Sequence, residues 1–243
     1  CAIRANRMYE HHGVPRSVAE ELVRASYYHG ARNPEAVAYG SEFDIEEMRA
    51  SRWIAEPFRL FDCSRENDGA AAFLMVSAER ARDMKKPPVY LLGCANGAEK
   101  GWGDLLENDD AGLYATAGFR PIARRLYADT GLSPADIDVV QLYENFSAQG
   151  VASLIDHGFC TYENVAEVVR FDNLIAPTGK LPVNTGGGNF AQGFIHGIGT
   201  AYEVVKQLRG ESANPVPDAK ICLLAGGPGA PTVSSAIFGN EVP

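Results

Sequence analysis

Three stretches of the chain carry residue types and spacings that can do chemistry. In VQLYENFSAQ (140–149) an apolar run ends in Tyr143-Glu144-Asn145, directly before a helix-prone segment. That order puts a phenol, a carboxyl and an amide at the carboxyl end of a strand, where open α/β sheets keep their sites; a helix start with polar caps would read the same way. In TGGGNFAQGFIHG (185–197) a triple glycine precedes a helix, and His196 follows. Bare backbone there lets N–H groups approach an anion or oxyanion closely, and it equally suits a tightly packed turn. No Lys-Ser/Thr follows the last glycine, so the nucleotide P-loop is excluded, and no strand-GxGxxG-helix unit fits the dinucleotide fingerprint. The third stretch, LLAGGPGAPTVSSAIFG (223–239), has glycines that suit a hairpin and can line a pocket.

Composition limits what those residues can serve. The 243 residues are 46% hydrophobic and 22% charged, close to the globular average, enough for a core without disulfide or metal staples. The net charge of −9, from 22 basic and 31 acidic residues, with no basic block beyond Lys85-Lys86 and Arg124-Arg125, argues against nucleic-acid binding. Apolar runs such as AAAFLMVSA and ICLLAGG are too short to span a bilayer. The cysteines Cys1, Cys63, Cys94, Cys160 and Cys222 show no CxxC spacing, which predicts a reducing, cytoplasmic setting and no metal site. Cys1 in first place admits a lipidated terminus, but AIRANRMYEHHGVP has the spacing of an amphipathic helix and reads as the interior of a longer protein.

The elements that must hold the three stretches follow from caps and periodicity. Ser17-Val-Ala-Glu20 reads as a capping box opening a helix to Tyr28, and Asp44–Ser51 as a short helix. Strands are expected near 59–61, 70–76, 89–93, 137–142, 221–224 and 233–238. Helices are expected over Ala78–Met84, Tyr114–Thr130 (closed by Gly131), Phe146–His157 and Gly197–Arg209, with a Ser133-Pro134 turn and a polar loop over Gly97–Asp110. Strands alternating with helices give an α/β fold, its sheet mostly single and mixed, with the closing strands antiparallel.

Taken in order, four landmarks resemble the thiolase superfamily. DCSRENDGAAAFLMVSAERARD (62–83) is similar to its Asn-x-Ser-x-x-x-Asp-Gly-Ala-Ala strand and following helix. LSPADIDVVQLYENFSAQ resembles the segment ending Asn-Glu-Ala-Phe-Ala, NTGGGNFAQGFIHGIGT resembles Gly-Gly-x-x-Ala-x-Gly-His-Pro, and LLAGGPGA resembles the closing Cys-x-Gly-Gly-Gly-x-Gly. The resemblance implies an α/β/α/β/α sandwich, here mainly its C-terminal half: 1–55 as the tail of the loop region over the CoA site, 56–87 as the end of the N-terminal half, and 88–243 as the C-terminal half. It also implies a missing N-terminal half and an unpaired sheet edge.

The departures from thiolases point to a narrower branch. Tyr143 stands where the family has Asn, Phe194 where it has the His of Gly-His-Pro, and Leu223 where it has the closing Cys, while Cys222 faces the other side of an alternating strand. These changes resemble the thiolase-like lipid-transfer proteins that act as aldolases on steroid side-chain acyl-CoA esters, although Phe194 replaces the second tyrosine of that branch. The resemblance implies retro-aldol cleavage of a β-hydroxyacyl-CoA without a covalent cysteine. Tyr143, if its pKa were lowered, or His196 would be the base. Asn189 or the glycine-run N–H groups would hold the enolate oxygen. Glu144, Asn145, Asn189, Gly193, Phe194 and Gly227 would bind substrate. No cofactor is expected beyond the coenzyme A of the thioester. Expected partners are a second copy in a homodimer and a small OB-fold, zinc-ribbon acyl-CoA-binding subunit, with neither nucleic acid nor membrane. An acyltransferase with its nucleophile in the missing segment, and a non-catalytic lipid or acyl-CoA binder, are the alternatives.

Overall fold

A computed structural model describes residues 1–99, 115–230 and 232–241. The chain opens with three helices, α1 (Ala2–His11), α2 (Arg16–Arg32) and α3 (Ile45–Ala50). The short helix expected over Asp44–Ser51 is present, and Asp44 caps it by accepting from Glu46 N–H. The α2 start differs from the capping-box reading: the helix begins at Arg16 behind Pro15, with no side-chain cap. Proline's fixed φ already supplies the entry geometry that a capping serine would provide.

Strands β1 (Trp53–Ala55) and β2 (Phe58–Arg59) form a small antiparallel pair. The strand expected at 59–61 is therefore only Phe58–Arg59, and Leu60–Asp62 is a 3-10 turn. The expected strand at 70–76 is a correction too. The stretch carries no ladder, and Phe73, Leu74 and Met75 are exposed. Its apolar, strand-prone composition has no partner among the described residues, and without a neighbour a strand cannot form. Helix α4 (Ala78–Arg82) is capped by Ser77, which accepts from Arg80 N–H.

The main sheet takes β3 (Tyr90–Gly97), β4 (Val139–Leu142), β5 (Ile221–Gly226) and β6 (Val233–Gly239) in the order β3-β6-β5-β4. β4 and β5 run parallel, while β6 is antiparallel to both β3 and β5. Helices α5 (Arg120–Thr130) and α6 (Ser147–Asp156) cover one face, and α10 (Ile198–Leu208) covers the other. Short helices α7 (Val165–Val168), α8 (Phe171–Leu174) and α9 (Gly188–Ala191) lie between. Alternation divides the core: Val140, Leu142, Leu223, Ala225 and Ile237 pack with α2, α5 and α6, whereas Val139 and Cys222 pack against Val204 and Leu208 of α10. α5 is shorter than the helix expected from Tyr114. Gly118 takes φ +94, and the helix starts after it; Tyr114 and most of the Gly97–Asp110 loop lie outside the described residues. Gly131 closes α5 in the left-handed conformation, as its position predicted.

Candidate active site

β4 and β5 end side by side, and Tyr143 leaves the sheet with its N–H donating to Ala225 O at 2.8 Å. The site is therefore at the carboxyl ends of two parallel strands, beside the Gly226–Ala230 turn, in the place the strand order favours. Tyr143 and Phe194 lie on the same side, their rings in a T-shaped contact at 5.8 Å, and Phe194 meets the His196 ring at 4.8 Å. A phenol, a phenyl and an imidazole from two distant stretches thus form one aromatic cluster, half-buried at Tyr143 and Phe194 and exposed at His196.

The backbone around the cluster explains its sequence. His196 has φ +55 and Gly197 φ +78. A Cβ on Gly197 would stand 2.4 Å from Tyr143 Cδ2, so the chain passes directly over the phenol ring. Gly193 has φ +146, and a Cβ there would press on the Asn67 amide at 3.0 Å. Phe194 N–H donates to Asn67 Oδ1 at 2.5 Å and to Arg65 O at 3.2 Å, and Arg65 N–H donates to Asn189 O at 3.0 Å. Asn67 is the residue that sequence reasoning missed. Its landmark stretch was visible, but nothing local signals that an amide from position 67 receives a backbone N–H from position 194. Beside it, Asn67, Gly69–Ala72, Gln192, Gly193, Ile195 and Tyr202 line a cavity of about 470 Å³.

The other expected site residues lie deeper. Glu144 is 0% exposed, and its Oε1 accepts from Asn189 N–H at 2.8 Å. Asn189 is also buried, and its Nδ2 donates back to Glu144 O at 3.3 Å. Asn145 is half-buried, and its carbonyl accepts from Ser64 N–H. Gly227 (φ +78) and Gly229 (φ +77) shape the turn after β5, where Gly229 N–H donates to Ala117 O at 2.9 Å. The glycine run is packed from both sides. Gly187 abuts Gly30 of α2, Gly186 faces Glu203 and Gly188 faces Glu144, so a Cβ at any of the three meets an atom within 3.0 Å. The packed-turn reading of these glycines prevails there over an open anion cradle.

Charge follows burial. Burial and then the Glu144 carboxylate push the Tyr143 phenol above its ordinary range, so the lowered pKa that a Tyr143 base requires is absent. Burial raises Glu144 to about 8, against the acceptor role it plays to Asn189 N–H. Cys63 and Cys160 are pushed up to about 11 and about 12, and Cys222, buried beneath α10, is pushed up as well, so all three remain thiols. No group of three or more potential metal ligands occurs among the described residues, and no helix there is long and apolar enough to cross a membrane.

Comparison with known proteins agrees with this architecture. Residues 107–240 match the family described as thiolase C-terminal domain-like. The 17-hydroxy-3-oxo-4-pregnene-20-carboxyl-CoA lyase of Mycobacterium tuberculosis is 39% identical over 87% of this chain and 54% of its own length. The steroid side-chain-cleaving aldolase of Thermomonospora curvata is 35% identical over 88% of this chain and 54% of its own length. A solved Ltp2-ChsH2(DUF35) aldolase superposes with a TM-score of 0.89 at 31% identity, over 98% of this chain and 62% of that one. The chain spans about half the length of the curated relatives it matches.

Proposed function

The chain belongs to the thiolase C-terminal domain-like family, and on that premise we propose that it supplies the Tyr143–His196 side of a site that cleaves a β-hydroxyacyl-CoA by retro-aldol chemistry. The observation that carries this reading is the Tyr143–Phe194–His196 cluster, which joins a phenol and an accessible imidazole without a thiolate from Cys63, Cys160 or Cys222. The names of the two lyase and aldolase relatives support it.

The reaction needs a base at the β-hydroxyl and a donor at the thioester. His196 takes the hydroxyl proton; imidazoles are suited to that exchange near neutral pH. As the Cα–Cβ bond breaks, its electron pair moves into the thioester enolate and the hydroxyl carbon becomes a ketone or aldehyde. Tyr143, held protonated by its raised pKa, is better suited to donate to the enolate than to accept a proton. Phe194 carries no proton and serves as the apolar wall between the two. Gly193, Gly227 and Asn145 line the substrate path, while Glu144 and Asn189 act from beneath it.

In the whole protein, residues 1–55 cover the CoA side, 56–87 complete the N-terminal half-sheet, and 88–243 carry the site. The uncovered Ala70–Val76 stretch supports pairing with the N-terminal half. The two-component name of the superposed Ltp2-ChsH2(DUF35) aldolase supports assembly with a partner subunit, proposed here as a small OB-fold, zinc-ribbon protein, with a second copy of this chain completing a homodimer. Five free cysteines support a cytoplasmic setting. No cofactor beyond the substrate's own coenzyme A enters the reaction.

The test uses the full-length protein with its small subunit and follows ketone or aldehyde release from a β-hydroxyacyl-CoA. His196→Ala should lower kcat by about 10²–10⁴-fold, the usual cost of losing a general base. Tyr143→Phe should lower kcat and leave binding intact. Release that requires free CoA points to a thiolytic acyltransferase, and binding without either reaction points to a carrier; both outcomes overturn the lyase.

A further inference from the structure

Tyr143 and Glu144, adjacent in sequence, touch opposite ends of the same loop. Tyr143 underlies its exit, where Gly197 has no room for a Cβ over the phenol ring. Glu144 holds its entry, accepting Asn189 N–H at Oε1 and receiving the Asn189 amide at its main-chain carbonyl. A Cβ on Gly188 would fall 1.9 Å from Glu144 Oε1, so the carboxyl occupies the space that a side chain at 188 would need. Between these two points the loop carries Phe194 and His196.

We propose that Glu144 is a positioning residue, a buried carboxyl whose grip on Gly188 and Asn189 sets where Phe194 and His196 stand relative to Tyr143. This deepens the lyase reading and rests on it for its kinetic consequence, though not for its structural one. The group is dedicated to the loop. It is wholly inaccessible to substrate, it forms no ion pair with any described residue, and its Oε2 has no hydrogen-bond partner among them. Burial favours the neutral acid in such a place, in keeping with its raised pKa of about 8. The titratable groups around it are Tyr143 alongside, His29 of α2 beyond Asn184, and Glu203 of α10 at the other end of the glycine run. Of these, burial holds His29 neutral and raises Glu203, so none offers a countercharge. Ionisation of Glu144 would place an uncompensated negative charge against the loop and beside the phenol.

The experiment compares four full-length variants by kinetics and by thermal unfolding. Glu144→Ala should lower kcat by about 10²-fold with KM changed less than about threefold, the scale set by small misplacements of reacting groups. Glu144→Gln, which preserves shape and acceptor, should restore most of that loss at pH 7, and it should lack the fall in kcat above pH 8 that ionisation of Glu144 is expected to cause in the wild type. Gly188→Ala alone should destabilise the fold, and Gly188→Ala combined with Glu144→Ala should destabilise it less than the two single effects together, because the new methyl fills the vacated space. A Glu144→Gln loss as deep as that of Glu144→Ala would overturn the proposal by making the carboxyl a chemical participant. Additive unfolding effects would overturn the grip itself. The unfolding arm reads the contact without any turnover, so it stands even if the wild-type protein fails to cleave a β-hydroxyacyl-CoA and the lyase reading falls.

Discussion

Replacing Gly30 with alanine sets two effects against each other. Gly30 lies inside α2, where alanine is favoured over glycine by about 1 kcal/mol, so helix propensity alone predicts stabilisation. The structure predicts the reverse. A Cβ on Gly30 would stand 2.6 Å from Ala191 Cβ, 3.2 Å from its carbonyl carbon and 3.3 Å from its oxygen. Ala191 has little freedom to retreat, because its carbonyl accepts from Ala38 N–H at 3.0 Å and its N–H donates to Gly187 O at 3.0 Å. Overpacking costs about 1–3 kcal/mol, and a Cβ–Cβ approach of 2.6 Å puts this site in the upper part of that range, about 2–3 kcal/mol, so the propensity gain leaves a net loss of about 1–2 kcal/mol. For a protein of this size that lowers Tm by about 2–8 °C. Far-UV circular dichroism melts of Gly30→Ala and of Gly30→Ala combined with Ala191→Gly measure it. The double variant, lacking the opposing methyl, should recover part of the loss. A Tm for Gly30→Ala equal to or above wild type would refute the close approach of α2 to the loop after the triple glycine.

Asp156 accepts from Ala117 N–H at 2.9 Å and Phe119 N–H at 3.0 Å and pairs with Arg120 at 3.3 Å, so Asp156→Ala should cost about 3 kcal/mol in urea unfolding by stranding buried donors. Glu144 binds its proton more tightly when folded than when unfolded, so its stabilising contribution is complete below its ordinary value and is lost as pH rises through about 8. Stability should therefore fall by about 2 kcal/mol between pH 6.5 and 8, and Glu144→Gln should flatten that slope in melts across the range. Asn67→Ala removes the side-chain acceptor of Phe194 N–H, and kcat should drop about tenfold while Tm changes little, because Arg65 O still accepts from that N–H.

The sequence was most readable where local chemistry decides the structure. Ser77 caps its helix, a helix follows Asp44, Gly131 ends α5, and strands form within 137–142 and from 221, although nothing local showed that these two run parallel. It also brought Tyr143, Phe194 and His196 together through the order of the landmarks. Direction was harder to read. Three polar residues in a row after a strand do not disclose which turns inward, and Glu144, expected at the substrate, packs beneath the loop. The triple glycine was similarly ambiguous, because bare backbone suits a ligand and a close helix contact alike. The apolar stretch 70–76 was read as a strand and forms none, because a strand is defined by its neighbour, and periodicity contains no neighbour. Asn67 was hidden because its partner lies far along the chain.

The strand order β3-β6-β5-β4 also constrains the time course of assembly. β5 and β6 are joined by a short turn and can zip together quickly, whereas β3 and β4 reach them only by closing long loops, which is entropically slow. Both earlier strands depend on β5 and β6, since among the described residues β3 pairs only with β6, and the parallel sheet partner of β4 is β5. On the ribosome, β3 must therefore wait for β6, and β4, bridged before then only at Val140 to Val183 among the described residues, must wait for β5. Tyr143 acquires its backbone acceptor, Ala225, only then. Slow translation or pausing between β4 and β5 would lengthen the interval in which β4 lacks its sheet neighbour, so the yield of folded protein should respond more to synthesis rate there than in the helical segments before β3.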